Sequence, residues 1–272
     1  MAKREVEIVR ECQPGATLLA AGLAAMGALS VIYRDFAYNW QPVPAFAGRE
    51  TVAVACGLFM IAAGVGLLFR VTAAAAVRAL FPFLLAWMGL KVPALIARPG
   101  IEGVWLGWGE IAMLVGGGWV LFARLSGLEE AAFFRQITGM KGVRIAEIVF
   151  GLAVLPVGLS HLFYAKITAS LVPAWLPFRM GLAYLTGVGQ MACGLTVLFS
   201  PWRRMAALVE TGMLALFAFL VWGPQTWFAA APKMAGAPAG VRFPLTAFLI
   251  TWVIGAAALL VAGGRESRVR RP

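Results

Sequence analysis

The chain has 272 residues, 61% hydrophobic and only 13% charged, with a mean hydropathy of +0.85. Soluble domains are about 45–50% apolar and about 25% charged, which excludes a water-soluble globular enzyme and, equally, a disordered chain. The net charge of +11 would elsewhere point to nucleic acid; in a chain this apolar it points to basic loops that set membrane topology.

Eight apolar stretches follow in order, at roughly 15–33, 51–69, 79–97 (with a start nearer Thr72 as the alternative), 104–123, 145–163, 181–199, 205–229 and 244–262. Each is long enough to cross the ~30 Å hydrocarbon core as a helix. Lipid enforces helices, because no water is there to satisfy backbone groups, and the alternation of a membrane barrel is absent. The expected fold class is therefore all-α, a polytopic membrane bundle of eight helices. Lys and Arg number 15 on the side of the termini and 8 on the other. That bias predicts both termini in the cytoplasm and a multi-pass protein of the cell (inner) membrane. The start reads as a retained first helix, not a secretory signal, since its basic residues are interleaved with Glu5, Glu7 and Glu11. Cys12, Cys56 and Cys193 form no C-x-x-C pair and no metal spacing.

An offset of about 130 residues aligns the two halves. Leu29-Ser30 falls on Leu159-Ser160, Gly57–Phe69 on Gly187–Phe199 with Gly57/Gly187 and Gly64/Gly194 identical, and Val43-Pro44-Ala45 on Val172-Pro173-Ala174 at 129. This predicts a first four-helix repeat over 1–123, a cytoplasmic connector over 124–144 with a short amphipathic surface helix, a second repeat over 145–263 and a basic tail over 264–272. Four spans is an even number, so the repeats are parallel, related by an axis along the membrane normal. The apolar Pro- and Trp-bearing loops at 40–44 and 171–177 are expected to cover the external end. The glycines of the second and fourth spans are expected to serve close helix packing.

Ionisable groups inside spans are expensive, so each needs a reason. Arg78 closes span three on the cytoplasmic side, and Glu210 lies in the equivalent span seven; the alignment places them close together, so they either pair across the pseudo-two-fold or both sit at the cytoplasmic interface with Arg78 snorkelling to water. Glu147 in the first turn of span five suits the helix dipole. Glu110 lies about 9 Å into span four and is the better candidate for a buried carboxylate. Gln190 is a lone polar side chain in span six. The single histidine, His161, comes about 21 Å along the helix after Glu147, near the external face. With Tyr164, Lys166 and Trp175 of the 171–177 loop it is the candidate lining of a polar pocket. No metal ligand set, phosphate loop, nucleophile triad or paired catalytic carboxylates is visible. The basic tail Arg265–Arg271 either fixes topology or binds anionic lipid.

In the second half, Gly158-Leu159-Ser160-His161, Tyr164-Ala165-Lys166, Leu171–Pro177 and Ala183–Gly187 together resemble the DoxX-like membrane proteins. That family is usually a single four-span unit, so the chain looks like a tandem fusion whose first copy has diverged. The family takes its name from a subunit of an archaeal thiosulfate:quinone oxidoreductase, and some members accompany respiratory or thiol-redox complexes. Its frequent His-Pro near the end of the third span is replaced here by Gly223-Pro224, with Pro93 in the first copy. The resemblance implies a membrane subunit that holds a quinone or lipid headgroup near His161, Tyr164 and Lys166, beside a redox-enzyme partner. Bound quinone is the one cofactor it brings. The partners expected are the bilayer, that enzyme or a second copy of the chain, and not nucleic acid. Two other functions fit the sequence: a small-molecule carrier with Arg78, Glu110 and Glu210 along its path, and an assembly protein with no activity of its own.

Overall fold

The computed structural model describes residues 2–227 and 240–264, with backbone alone for residues 2–13. The side chain of Cys12, the basic side chains before Pro14, Lys233 and the tail after Gly264 lie outside what is described. The helices are α1 (Ala2–Tyr33), α2 (Arg49–Leu68), α3 (Arg70–Gly89), α4 (Val92–Ala97), α5 (Glu102–Leu125), α6 (Gly139–Phe163), α7 (Ala165–Leu171), α8 (Arg179–Phe199), α9 (Arg203–Leu216), α10 (Gly223–Trp227) and α11 (Arg242–Gly263). No strand occurs among the described residues. Among the described residues, eight helical segments are long and apolar enough to cross a membrane.

Neighbouring spans pack in sequence: α1 on α2, α2 on α3, α3 on α5, α5 on α6, α6 on α8, α8 on α9, α9 on α11, and α11 back on α1. α5 and α11 also meet across the middle of this ring. They are the two most enclosed spans, 72% buried over their apolar windows against 28–50% for the other six. Their composition dictates this place, because the stretches Ile111–Val115 and Val120–Ala123 of α5 and Val253–Ala258 of α11 are apolar all round and buried. Contact at the centre requires small residues. A β-carbon on Gly117 would come within 2.4 Å of Ala257.

Glycine sets the α1–α2 and α6–α8 contacts in the same manner. A β-carbon on Gly57 would lie 2.7 Å from the Gly27 carbonyl oxygen, and one on Gly187 the same distance from the Gly158 carbonyl oxygen. Gly64 meets the Ala20 carbonyl at 2.6 Å, and Gly194 meets that of Gly151 at 2.8 Å. Backbone-to-backbone approach of this kind is what holds helices together where lipid is as apolar as the side chains.

Three segments differ from the sequence expectation. The third span begins at Arg70 and is followed by α4, which carries Pro93 in its first turn, where a missing amide is harmless. The seventh span is interrupted: after α9 the chain takes a π-helical turn over Phe217–Trp222 before α10. The connector 126–138 consists of turns and bends and not a surface helix. Its Phe134 packs on the core while Phe133 is exposed.

At one end of the bundle, the loop after α1 tucks inward. Its 3-10 turn Tyr38–Trp40 buries Trp40, and Gln41 follows it inside. Arg34 and Tyr38 take left-handed backbone there, which costs strain in a non-glycine residue. Arg242, at the start of α11, offsets it. Its guanidinium lies 4.2 Å over the Tyr38 ring and 4.9 Å over Tyr33, bonds Asp35 at 2.8 Å and donates to the Phe36 carbonyl. Arg49 of α2 also bonds Asp35. Burial on its own would raise the Asp35 carboxyl, but the bonds from Arg242 and Arg49 outweigh it and hold the group below its ordinary 3.8. Burial pushes the Tyr38 phenol up. The corresponding second loop instead carries the short helix α7 and leaves Trp175 exposed.

At the other end, Glu147 of α6 is 1% exposed and bridges Arg144 at 3.0 Å and Arg203 at 3.3 Å. Arg144 also donates to the Leu198 carbonyl. This network ties α6 to the α8–α9 corner, a structural role beyond the dipole effect expected for Glu147.

Candidate functional site

The polar groups within the spans fall into two groupings. The first lies at the end of the bundle that carries the 34–48 loop, on α5. Residues 103, 107 and 110 recur at i, i+4 and i+7 and so share one face of that helix. Glycine at 103 and 107 makes room. A β-carbon at 103 would lie 3.2 Å from the Tyr164 hydroxyl, and one at 107 would lie 3.0 Å from the Lys91 ammonium. Tyr164 hydroxyl, Lys91 ammonium and Glu110 carboxylate are thus strung along about 10 Å of helix. Glu110 accepts a bond of 2.7 Å from the Trp40 indole. The Trp87 indole donates to the Trp40 carbonyl, and Lys91 to the Asn39 carbonyl. The inward-turned loop therefore exists to deliver one indole N–H and two carbonyls into this grouping.

Glu102, the first residue of α5, is 8% exposed; neither of its carboxylate oxygens makes a hydrogen bond of ordinary geometry among the described residues, and the Tyr164 hydroxyl beside it is the donor at hand. The neighbouring Tyr164 hydroxyl accepts from the Gly103 amide at 3.1 Å. Through it the corner between α6 and α7 is joined to the start of α5.

The second grouping lies on α8. Thr186, Gln190 and Cys193 again repeat at i, i+4 and i+7. Thr186 gives its hydroxyl proton to the Leu182 carbonyl at 2.9 Å, so His161 donates to it from Nδ1, also at 2.9 Å. The His161 ring packs 5.6 Å from Phe217, the first residue of the π turn. Gln190 donates from Nε2 to Glu210 Oε1 at 3.0 Å, and both residues are wholly buried.

The expected site residues are redistributed by these contacts. His161, Tyr164, Lys166 and Trp175 turn to different neighbours: His161 to α8, Tyr164 to α5, and Lys166 and Trp175 to the outside. The expected Arg78–Glu210 pair is absent among the described residues. Arg78 donates to the Ser126 carbonyl at 2.7 Å, clamping α3 to the end of α5, while Glu210 faces Gln190. An offset of 130 matches Glu210 with Leu80, not with Arg78, which explains the mismatch. Lys91, Glu102 and Trp40 were not among the expected site residues. Lys91 and Glu102 count as loop charges in a linear reading, and Trp40 reads as an interface anchor; only folding turns all three inward.

A family model described as Domain of unknown function (DUF8561) matches residues 150–257, from within α6 to within α11. No curated protein and no solved structure matches the chain.

Proposed function

We propose that the chain is a DoxX-like membrane subunit that holds the headgroup of a quinone- or lipid-class molecule at its external end, next to a redox-enzyme partner. In this reading its eight spans form two parallel four-helix repeats in the cell (inner) membrane, with both termini in the cytoplasm. The matched glycine contacts 130 residues apart and the closed order of helix packing support the repeats. The excess of Lys and Arg on the side of the termini supports the orientation.

The observation that carries the ligand reading is the buried Glu102 carboxylate, with only the Tyr164 hydroxyl beside it as a donor among the described residues, on the helix that carries Glu110. A buried acceptor left unmet costs about 1–3 kcal/mol, and more when charged; a ligand hydroxyl donating to it recovers that energy. Lys91 has three N–H donors and one fixed acceptor, the Asn39 carbonyl, so it has donors left for a ligand carbonyl or phosphate. Ile96, Ile101 and Trp105 are exposed beside this end and offer an apolar track for a tail. The ligand position thus moves from His161 to the Glu102–Tyr164–Lys91 corner.

Extraction that preserves lipid, followed by mass spectrometry, tests this. Wild-type protein is expected to retain a quinone or one lipid class. Glu102→Gln and Tyr164→Phe each reduce retention roughly tenfold, the effect of losing one bond of about 1.4 kcal/mol, and His161→Ala leaves it unchanged. No retained ligand, or equal retention in both corner variants, overturns the proposal.

One observation favours a second reading, that of a carrier. The Gln190–Glu210 pair sits within the spans, and the π turn interrupts the same helix seven residues after Glu210; such turns recur at functional sites. Solute flux into proteoliposomes that Glu210→Gln abolishes would select this reading.

A further inference from the structure

Gln190 and Glu210 together carry two oxygens that the fold leaves without a partner. Gln190 Nε2 donates to Glu210 Oε1, but Gln190 Oε1 and Glu210 Oε2 are both buried with no donor among the described residues. An ionised carboxylate is acceptor-only, so in that state two acceptors would face an apolar interior unmet. One proton removes both deficits. Placed on Glu210 Oε2 it makes that atom a donor, and the acceptor it lacks is the amide oxygen of the residue already bonded to it.

We propose that Glu210 is a proton-binding site within the membrane: it holds a proton on Oε2 and donates it to Gln190 Oε1, closing a ring of two opposed hydrogen bonds between acid and amide. The proposal rests on this donor count and is independent of the ligand reading at Glu102.

Among the described residues, the surroundings contain nothing else that would hold the charge of an ionised Glu210. From α8, the titratable neighbour is the Cys193 thiol, one turn from Gln190. α11, which packs against α9, has no titratable residue from Phe243 to Gly263, and the π turn Phe217–Trp222 has none either. The nearest cations on α9 itself are Arg203 and Arg204, about two turns earlier, and Arg203 is bonded to Glu147.

Packing alone does not call for the pair. The residues 130 positions earlier are Met60 and Leu80, both buried, on α2 and α3, which pack together as α8 and α9 do. An apolar pair fills the place in one half, and an acid with an amide fills it in the other. The polar version adds a bound, exchangeable proton at bilayer depth, in the helix that continues into the π turn.

Infrared difference spectroscopy on protein in lipid vesicles at neutral pH tests this, with exchange into deuterium oxide to mark carboxylic acids. The expected result is a protonated-carboxyl C=O band that disappears in Glu210→Gln, persists in Glu102→Gln and Glu110→Gln, and shifts in frequency in Gln190→Leu. Glu210→Gln retains both opposed bonds as an amide–amide ring, so it is expected to fold with an unchanged melting temperature. The double variant Gln190→Met/Glu210→Leu, which copies the first half, is expected to fold as well. A Glu210→Gln spectrum identical to wild type in the carboxylic-acid region overturns the proposal, as does failure of the double variant to fold.

Discussion

Replacing Gly187 by alanine adds one carbon at the tightest place on the α6–α8 contact. That carbon would stand 2.7 Å from the Gly158 carbonyl oxygen and 2.7 Å from the His161 β-carbon, whereas ordinary contact begins at 3.4 Å. Both obstacles belong to backbone or to its first side-chain atom, so no rotamer change relieves them. The helices must part by about 0.7 Å, at an overpacking cost of about 1–3 kcal/mol. The usual helical gain of alanine over glycine, about 0.5–1 kcal/mol, offsets part of this. A net loss of about 1 kcal/mol corresponds to about 2–4 °C in a chain of this size. Gly57→Ala meets the Gly27 carbonyl at the same 2.7 Å and is expected to behave alike. Gly212→Ala, where nothing lies within 4 Å, is expected to melt at or above wild type. Thermal unfolding of purified protein in one detergent measures all three. If Gly187→Ala and Gly57→Ala melt with Gly212→Ala, close backbone approach is not what sets these helix pairs.

Two further perturbations probe the ends of the bundle. The Asp35 carboxyl is held below its ordinary 3.8, so its contribution is fully present above that value and is lost as pH falls through the lower folded value. Asp35→Asn should therefore cost about 1 kcal/mol at neutral pH, discounted for partial exposure, and nothing in strong acid; stability profiles of the two proteins against pH should converge at low pH. Glu147→Gln leaves Arg144 and Arg203 without their shared carboxylate, and because both arginines are partly exposed the cost is about 2 kcal/mol, below that of a fully buried pair. Thermal unfolding in the same detergent measures it.

The spans were legible in the sequence because apolar runs of spanning length have one solution in lipid. Glu110, Gln190 and Glu210 stood out for the same reason, as polar side chains in those runs. Their partners were not legible, because each comes from another helix or loop: Trp40 for Glu110, and α8 for Glu210. Lys91 and Glu102 were hidden by position. Glu102 flanks a predicted loop, and Lys91, although inside the expected third span, was counted with the loop charges near its end; only the short α4 and the early start of α5 carry them inward. Conversely, Lys166 of α7 and Trp175 of the apolar loop that follows face outward. The interruption of span seven leaves no proline or glycine within 217–222 to announce it.

The headgroup site at the Glu102–Tyr164–Lys91 corner is tested most directly by photo-cross-linking in native membranes. The probes are a photoreactive quinone and a photoreactive phospholipid, with adducts mapped by peptide mass spectrometry. Adducts concentrated on residues 91–110 and around Tyr164, and diminished in Glu102→Gln, are the predicted result. Adducts centred on His161 and Trp175, or spread evenly over the lipid-facing helices and indifferent to Glu102→Gln, would contradict it.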